Sequence, residues 1–143
     1  MMQPPPLLRD QREVDADHLK LLSVFHFVGA GLAVLGILFL LAHYAMFHAF
    51  FSNPGMWQNQ KQSPPPAEFV AMFKWFYVIV AIWFVGSGIL NLLSGLFIRS
   101  RKHRTFSLIV SAINCLHMPL GTALGVFTII VLVRDSVREL YEG

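Results

Sequence analysis

The sequence predicts an all-α integral membrane protein: a bundle of four membrane helices, two long and two short, followed by a short C-terminal interfacial helix. Three observations carry that expectation. Of 143 residues 55% are hydrophobic and only 13% charged, with 13 phenylalanines, which is far from the make-up of an ordinary soluble domain. The apolar residues gather into three charge-poor blocks, Leu19 to Phe51, Phe69 to Ile98 and Phe106 to Val133, each longer than the roughly 20 residues that cross a hydrocarbon core. The basic residues are sorted rather than scattered, above all in RSRKHR at 99–104, as expected of a segment held on the cytoplasmic side. The net charge of +3 serves orientation and headgroup contact; it is too small to point to nucleic acid.

Taken in order, residues 1–14 open with Pro4, Pro5 and Pro6 and carry little to bury. They are expected to form a disordered or surface-lying head ahead of a single membrane domain, 15–143. The mixed-charge stretch RDQREVDADHLK, and the length of the block behind it, predict a retained anchor rather than a signal peptide. Helix one is expected to start near Asp15 or Asp17, where a carboxylate caps free N–H groups. Within it Gly29, Ala33 and Gly36 make a small-residue stripe suited to close packing inside the subunit.

From His48 to Pro66 an aromatic and proline-rich loop is expected, with Asn53, Pro54 and Gly55 as a turn and Phe50, Phe51 and Trp57 in an interfacial belt. Helix two follows the proline triplet at 64–66, with Glu68 in its first turn and Lys74 snorkelling to the same interface. Its inner half places Ser87, Asn91 and Ser94 on one face at i, i+4 and i+7; after the basic turn of Arg99, Arg101, Lys102 and Arg104, the residues Ser107, Ser111 and Asn114 repeat that spacing. At ~1.5 Å per residue from the turn, Asn91 lies about 12 Å deep and Asn114 about 15 Å. Antiparallel neighbours would bring the two level. The expectation is a polar seam acting as helix-packing glue, with Asn91 near Asn114 or Ser111.

A break follows at HMPLGTALG. Pro119 lacks an N–H and its ring opposes the carbonyl of Cys115, Gly121 follows, and Thr122 suits the N-cap of a new helix. A single kinked helix over 105–134 would be about 45 Å long and would leave the C-terminus outside; two short helices would return it. Returning it places Arg9, Arg12, Lys20, Arg99, Arg101, Lys102, Arg104, Arg134 and Arg138 inside, against Lys61 and Lys74 outside. The single helix moves Arg134 and Arg138 out. Positive-inside sorting favours the hairpin, with both termini cytoplasmic. The tail RDSVRELYEG puts Val137, Leu140 and Tyr141 on one face, as in a helix lying at the interface.

The segment Pro119, Gly121, Thr122, Ala123, Leu124 and Gly125, with FTIIVLV and a charged helix after it, resembles a widespread group of small bacterial multi-pass membrane proteins. These have about four hydrophobic segments and a P-x-G-T-A-L-G-like break before the last helix. The likeness covers the final third of the chain. It implies a bacterial inner-membrane location and a turn at Pro119 to Gly121, and it brings no activity, cofactor or ligand set.

The residues themselves argue against an enzyme. Six histidines are present, but by helical rise His26, His43 and His117 lie at unlike depths, so no level pair is offered to haem. His43, His48, Met46 and Met56 match no strong metal motif. Between Asp17 and Asp135 the only carboxylate is Glu68, which speaks against proton coupling. Ser87 and His117 fall at similar depth, yet lack any sign of an oxyanion site. Cys115 is alone in an apolar run, which keeps a thiol inert. No catalytic, metal or cofactor residue is expected. The function expected is that of a scaffold or accessory subunit in the lipid bilayer, binding another membrane protein or its own copies. The other reading is an oligomeric pore or small-solute transporter lined by the Ser/Asn seam.

Overall fold

Inside a bilayer every backbone N–H and C=O must find its partner within the protein, so long apolar stretches free of Pro fold as helices. The computed structural model describes residues 7–59, 63–117 and 119–142, and every side chain among them except those of 7–10, Met56 and Asn59. The described chain is all-helical: α1 (Leu7–Phe51), α2 (Pro54–Asn59), α3 (Ala67–Ser100), α4 (Arg104–Asn114), α5 (Leu120–Val133) and α6 (Asp135–Glu142). The helices α1 and α3, of 45 and 34 residues, rise about 65 and 50 Å. Both are long and apolar enough to cross a membrane. The helices α4 and α5, of 11 and 14 residues, rise only about 16 and 21 Å, and α5 meets α6 at a bend of 73°.

The chain divides into two compact units, one of Met1–Ala30 with Ile89–Gly143 and one of Gly31–Gly88. In the first, α1 begins at Leu7 rather than near Asp15 or Asp17. Residues 7–14 contain neither Gly nor Pro, so nothing stops the helix from running back toward Pro6. Asp15 therefore caps nothing. Its buried carboxylate takes Arg134 Nη1 at 2.9 Å and the Ser136 hydroxyl, which fixes the α5–α6 junction against α1. An exposed Arg12–Glu139 pair at 2.8 Å lies further out. The expected head at 1–14 is thus helical from Leu7; Pro4, Pro5, Pro6 and the basic residue Lys61 lie outside the described residues.

The apolar core of this unit joins Leu19 and Leu22 of α1, Ile98 of α3, Val131 and Leu132 of α5 and Val137 of α6. Leu140 and Tyr141 pack against it. The apolar face of α6 foreseen in the tail is therefore covered by protein.

The α3–α4 turn is tight. Arg101 N–H donates to Ile98 O at 3.2 Å and Lys102 N–H to Phe97 O at 2.9 Å, the double bond of a Schellman ending. Arg101 adopts φ 53° and His103 φ 50°, left-handed positions that side chains other than Gly rarely take.

At the far end of α4 the chain reverses. The helix α5 opens at Leu120 with Pro119 as its N-cap, so Thr122 does not cap it. Instead the Thr122 hydroxyl donates to Cys115 O at 2.8 Å. That carbonyl is the one a residue at 119 would have bonded through its N–H in a continuous helix, and proline has none to offer. Thr122 fills the place the proline leaves. The helices α4 and α5 then run antiparallel: Arg104 Nε donates to Leu132 O at 2.7 Å at one end, and Gly125 lies so close that a Cβ there would collide with Ser111 O.

The second unit holds the remaining halves of α1 and α3, with α2. Gly36 admits the ring of Phe84, which a Cβ would strike, and Ala33 beside it is buried. Beyond them the contacts are aromatic. Phe47 stacks on Phe73 with centroids 5.0 Å apart and meets Phe51 at 4.3 Å, while Tyr44 meets Tyr77 edge-on at 5.1 Å. The stretch expected as a loop from His48 is helical to Phe51 and again over α2. Asn53 Oδ1 accepts the Gly55 N–H at 3.1 Å, so the turn signal starts a helix with Pro54 in its first position. Trp57 Nε1 donates back to Phe51 O at 3.4 Å.

Candidate functional site: a buried polar seam

The first unit encloses a line of polar side chains shut away from its surface. Asn91 and Asn114 exchange amide hydrogen bonds, Asn91 Nδ2 to Asn114 Oδ1 at 3.1 Å and Asn114 Nδ2 to Asn91 Oδ1 at 2.8 Å. His26 Nδ1 stands 2.9 Å from the same Asn91 Oδ1, and Thr128 Oγ1 lies 3.4 Å from His26 Nε2 while donating to Leu124 O at 2.7 Å. All four residues are buried. Helical spacing puts them there: Ser23 and His26 share a face of α1, and Gly121, Gly125 and Thr128 of α5 repeat the i, i+4, i+7 step of Ser107, Ser111 and Asn114 on α4. Gly29 packs against the Asn91 side chain.

Proton counting shows what this line can hold. His26 donates Nδ1–H to Asn91 Oδ1, and Thr128, whose one hydroxyl proton is on Leu124 O, meets Nε2 with its oxygen at 3.4 Å.

Of the serines, Ser111 Oγ donates to Ser107 O at 2.7 Å. Ser94 and Ser107 are fully buried, and their hydroxyls meet no acceptor or donor among the described residues. Ser87 falls in the second unit, half-buried. Gly121 lies against His117 and Asn114 O. Arg99, Arg101 and Lys102 are exposed, while Arg104 is half-buried at the mouth of the α4–α5 pair.

Sequence reasoning placed the two asparagines together by depth but missed Ser23, His26 and Thr128. Ser23 donates to Gly95 O at 3.0 Å. The stripe of Ser23, His26 and Gly29 on one helical face was the signal that could have found the first two. Among the described residues no three His, Cys, Asp or Glu side chains gather as a metal site would need. Comparison with protein-family models, with curated proteins and with solved structures finds no match to this chain.

Proposed function

We propose that this chain is a non-enzymatic multi-pass protein of a bacterial inner membrane, a scaffold or accessory subunit that binds another membrane protein or its own copies. The carrying observation is how the polar groups are spent. Asn91, Asn114, His26 and Thr128 bond to one another, which leaves little to line a solute path, while large apolar side chains such as Leu35, Phe39, Trp75, Ile79 and Ile82 are exposed along α1 and α3. Lipid or a partner helix is the natural cover for such surfaces.

In this reading the protein has four membrane segments and both termini face the cytoplasm. The helices α4 and α5 are each too short to span a core of about 30 Å, and at their reversal Leu116, Pro119 and Leu120 are exposed, so in this reading a partner or a second copy covers that end, as irregular backbone at membrane depth requires. The Asp15–Arg134 pair and the Arg104–Leu132 bond put Arg134 with the basic turn and the start of α1, in keeping with positive-inside sorting.

The test is affinity purification of the tagged chain from its native membranes in mild detergent with mass spectrometry. A stoichiometric membrane partner or a defined homo-oligomer is expected. A monomer that supports solute flux in liposomes, lost on Asn91→Leu without loss of folding, would overturn the reading. The unpartnered hydroxyls of Ser94 and Ser107 favour a second reading, an oligomeric pore, which that flux assay separates from the first.

A further inference from the structure

Beside the α3–α4 turn an open cavity of about 460 Å³ is lined by Arg101, Lys102, Arg104, Arg138, Tyr141 and Glu142, among others. Four cations face one carboxylate there. Arg138 is committed to Glu142 at 2.9 Å, and Arg104 is anchored through Nε on Leu132 O, which aims its terminal nitrogens without consuming them. Arg101 and Lys102 are exposed and, among the described residues, ion-paired to nothing.

Two further features turn this charge into a site. The Tyr141 hydroxyl is buried and has no hydrogen-bond partner among the described residues. Burial pushes its phenol up to about 12, against the pull of Arg104 and Arg101, so at neutral pH it is an O–H donor beside two guanidinium groups. The α4 N-terminus lies at the same cavity, and His103 gives it no side-chain cap, so the positive helix end meets the cavity without a capping side chain.

We propose that this cavity binds a phosphate group presented at the membrane surface, with the Tyr141 hydroxyl, the terminal nitrogens of Arg104 and the side chain of Arg101 as its donors. Phosphate matches the set because several donors converge on one small, multiply charged acceptor. Its source is either an anionic lipid headgroup or a soluble phosphate.

The test uses the purified full chain in neutral detergent, titrated calorimetrically at matched ionic strength with inorganic phosphate and with dihexanoyl phosphatidylglycerol, dihexanoyl phosphatidylcholine being the zwitterionic control. Saturable binding of at least one anion is expected. Tyr141→Phe and Arg101→Gln should each weaken it about tenfold, as loss of one charge-assisted bond does, while Arg99→Gln, equal in charge change but outside the cavity, stays within about twofold. Tyr141→Phe should leave unliganded thermal stability unchanged or higher, since the hydroxyl it removes is unpartnered. Binding of the lipid alone assigns the headgroup as source; equal binding of inorganic phosphate assigns a soluble anion. Absence of saturable binding by either, or an Arg99→Gln loss as large as that of Arg101→Gln, overturns the proposal.

Discussion

The unit of residues 1–30 and 89–143 and the unit of residues 31–88 share the two long helices, yet they bury opposite chemistries. In the first, the buried set includes Asp15, Ser23, His26, Asn91, Ser94, Ser107, Ser111, Asn114 and Thr128. In the second, Ala33 and Tyr77 alone are buried among the described residues. The difference follows from the number of segments. Halves of α1 and α3, together with α4, α5 and α6, can close around a polar side chain and supply its partners. Two helix halves with the short α2 do not close around such a line, so the second unit relies on ring contacts, with the Tyr77 hydroxyl to His43 Nδ1 bond at 2.6 Å joining α1 to α3. Polar groups belong where several helices meet, because an unpaired amide in hydrocarbon costs far more than a paired one returns.

That contrast can be broken or sharpened by substitution. The largest effect is expected of Gly125→Val, which drives a side chain into the backbone carbonyl of Ser111 and forces α5 off α4. A loss of about 3 kcal/mol is expected, read by denaturant titration in detergent. Next is Asn91→Leu, which strands the Asn114 amide and His26 Nδ1 together. It should cost about 2 kcal/mol. Asn91→Leu with Asn114→Leu should cost less than the two single losses added, since neither amide is then left alone; strict additivity would mean the pair is not coupled.

Asp15→Asn keeps the shape but removes the charge that meets Arg134, and should cost about 1 kcal/mol in the same titration. Smallest is Tyr77→Phe in the second unit, which deletes the His43 bond while keeping the ring. Its expected cost is about 0.6 kcal/mol, near the mean for hydrogen bonds between membrane helices. A Tyr77→Phe loss exceeding that of Asn91→Leu would reverse the ranking of the two units.

How much of this was legible in the sequence depends on whether one helix or two had to be known. The segments themselves were plain from hydropathy, as were the basic turn and the interruption at Pro119. Asn91 and Asn114 could be paired by counting residues outward from a shared turn, because both distances start from the same point. His26 could not: its helix has no turn in common with the other two, so its depth rested on where α1 was taken to enter the membrane, and α1 begins at Leu7. Thr128 sits in FTIIVLV with its hydroxyl on Leu124 O, a bond that a lipid-facing threonine makes equally well. Asp15 looked like a cap because a carboxylate before an apolar run usually is one; only its ion pair, 119 residues away along the chain, assigns it otherwise. Thr122 suits an N-cap acceptor by sequence and acts instead as a donor, because the Cys115 carbonyl facing Pro119 needs one.

The central claim is that the seam is closed packing and not a water-filled path, and the most direct measurement is thiol accessibility at its two unpartnered positions. In a Cys115→Ala background, Ser94→Cys and Ser107→Cys replace fully buried hydroxyls with groups of similar size, and Ser100→Cys gives an exposed reference. A membrane-impermeant maleimide applied from both sides should label the Ser100 variant fully and leave the other two unlabelled in the folded protein. Labelling of the Ser94 and Ser107 variants at a rate comparable to the reference would contradict the claim and make the seam a pathway.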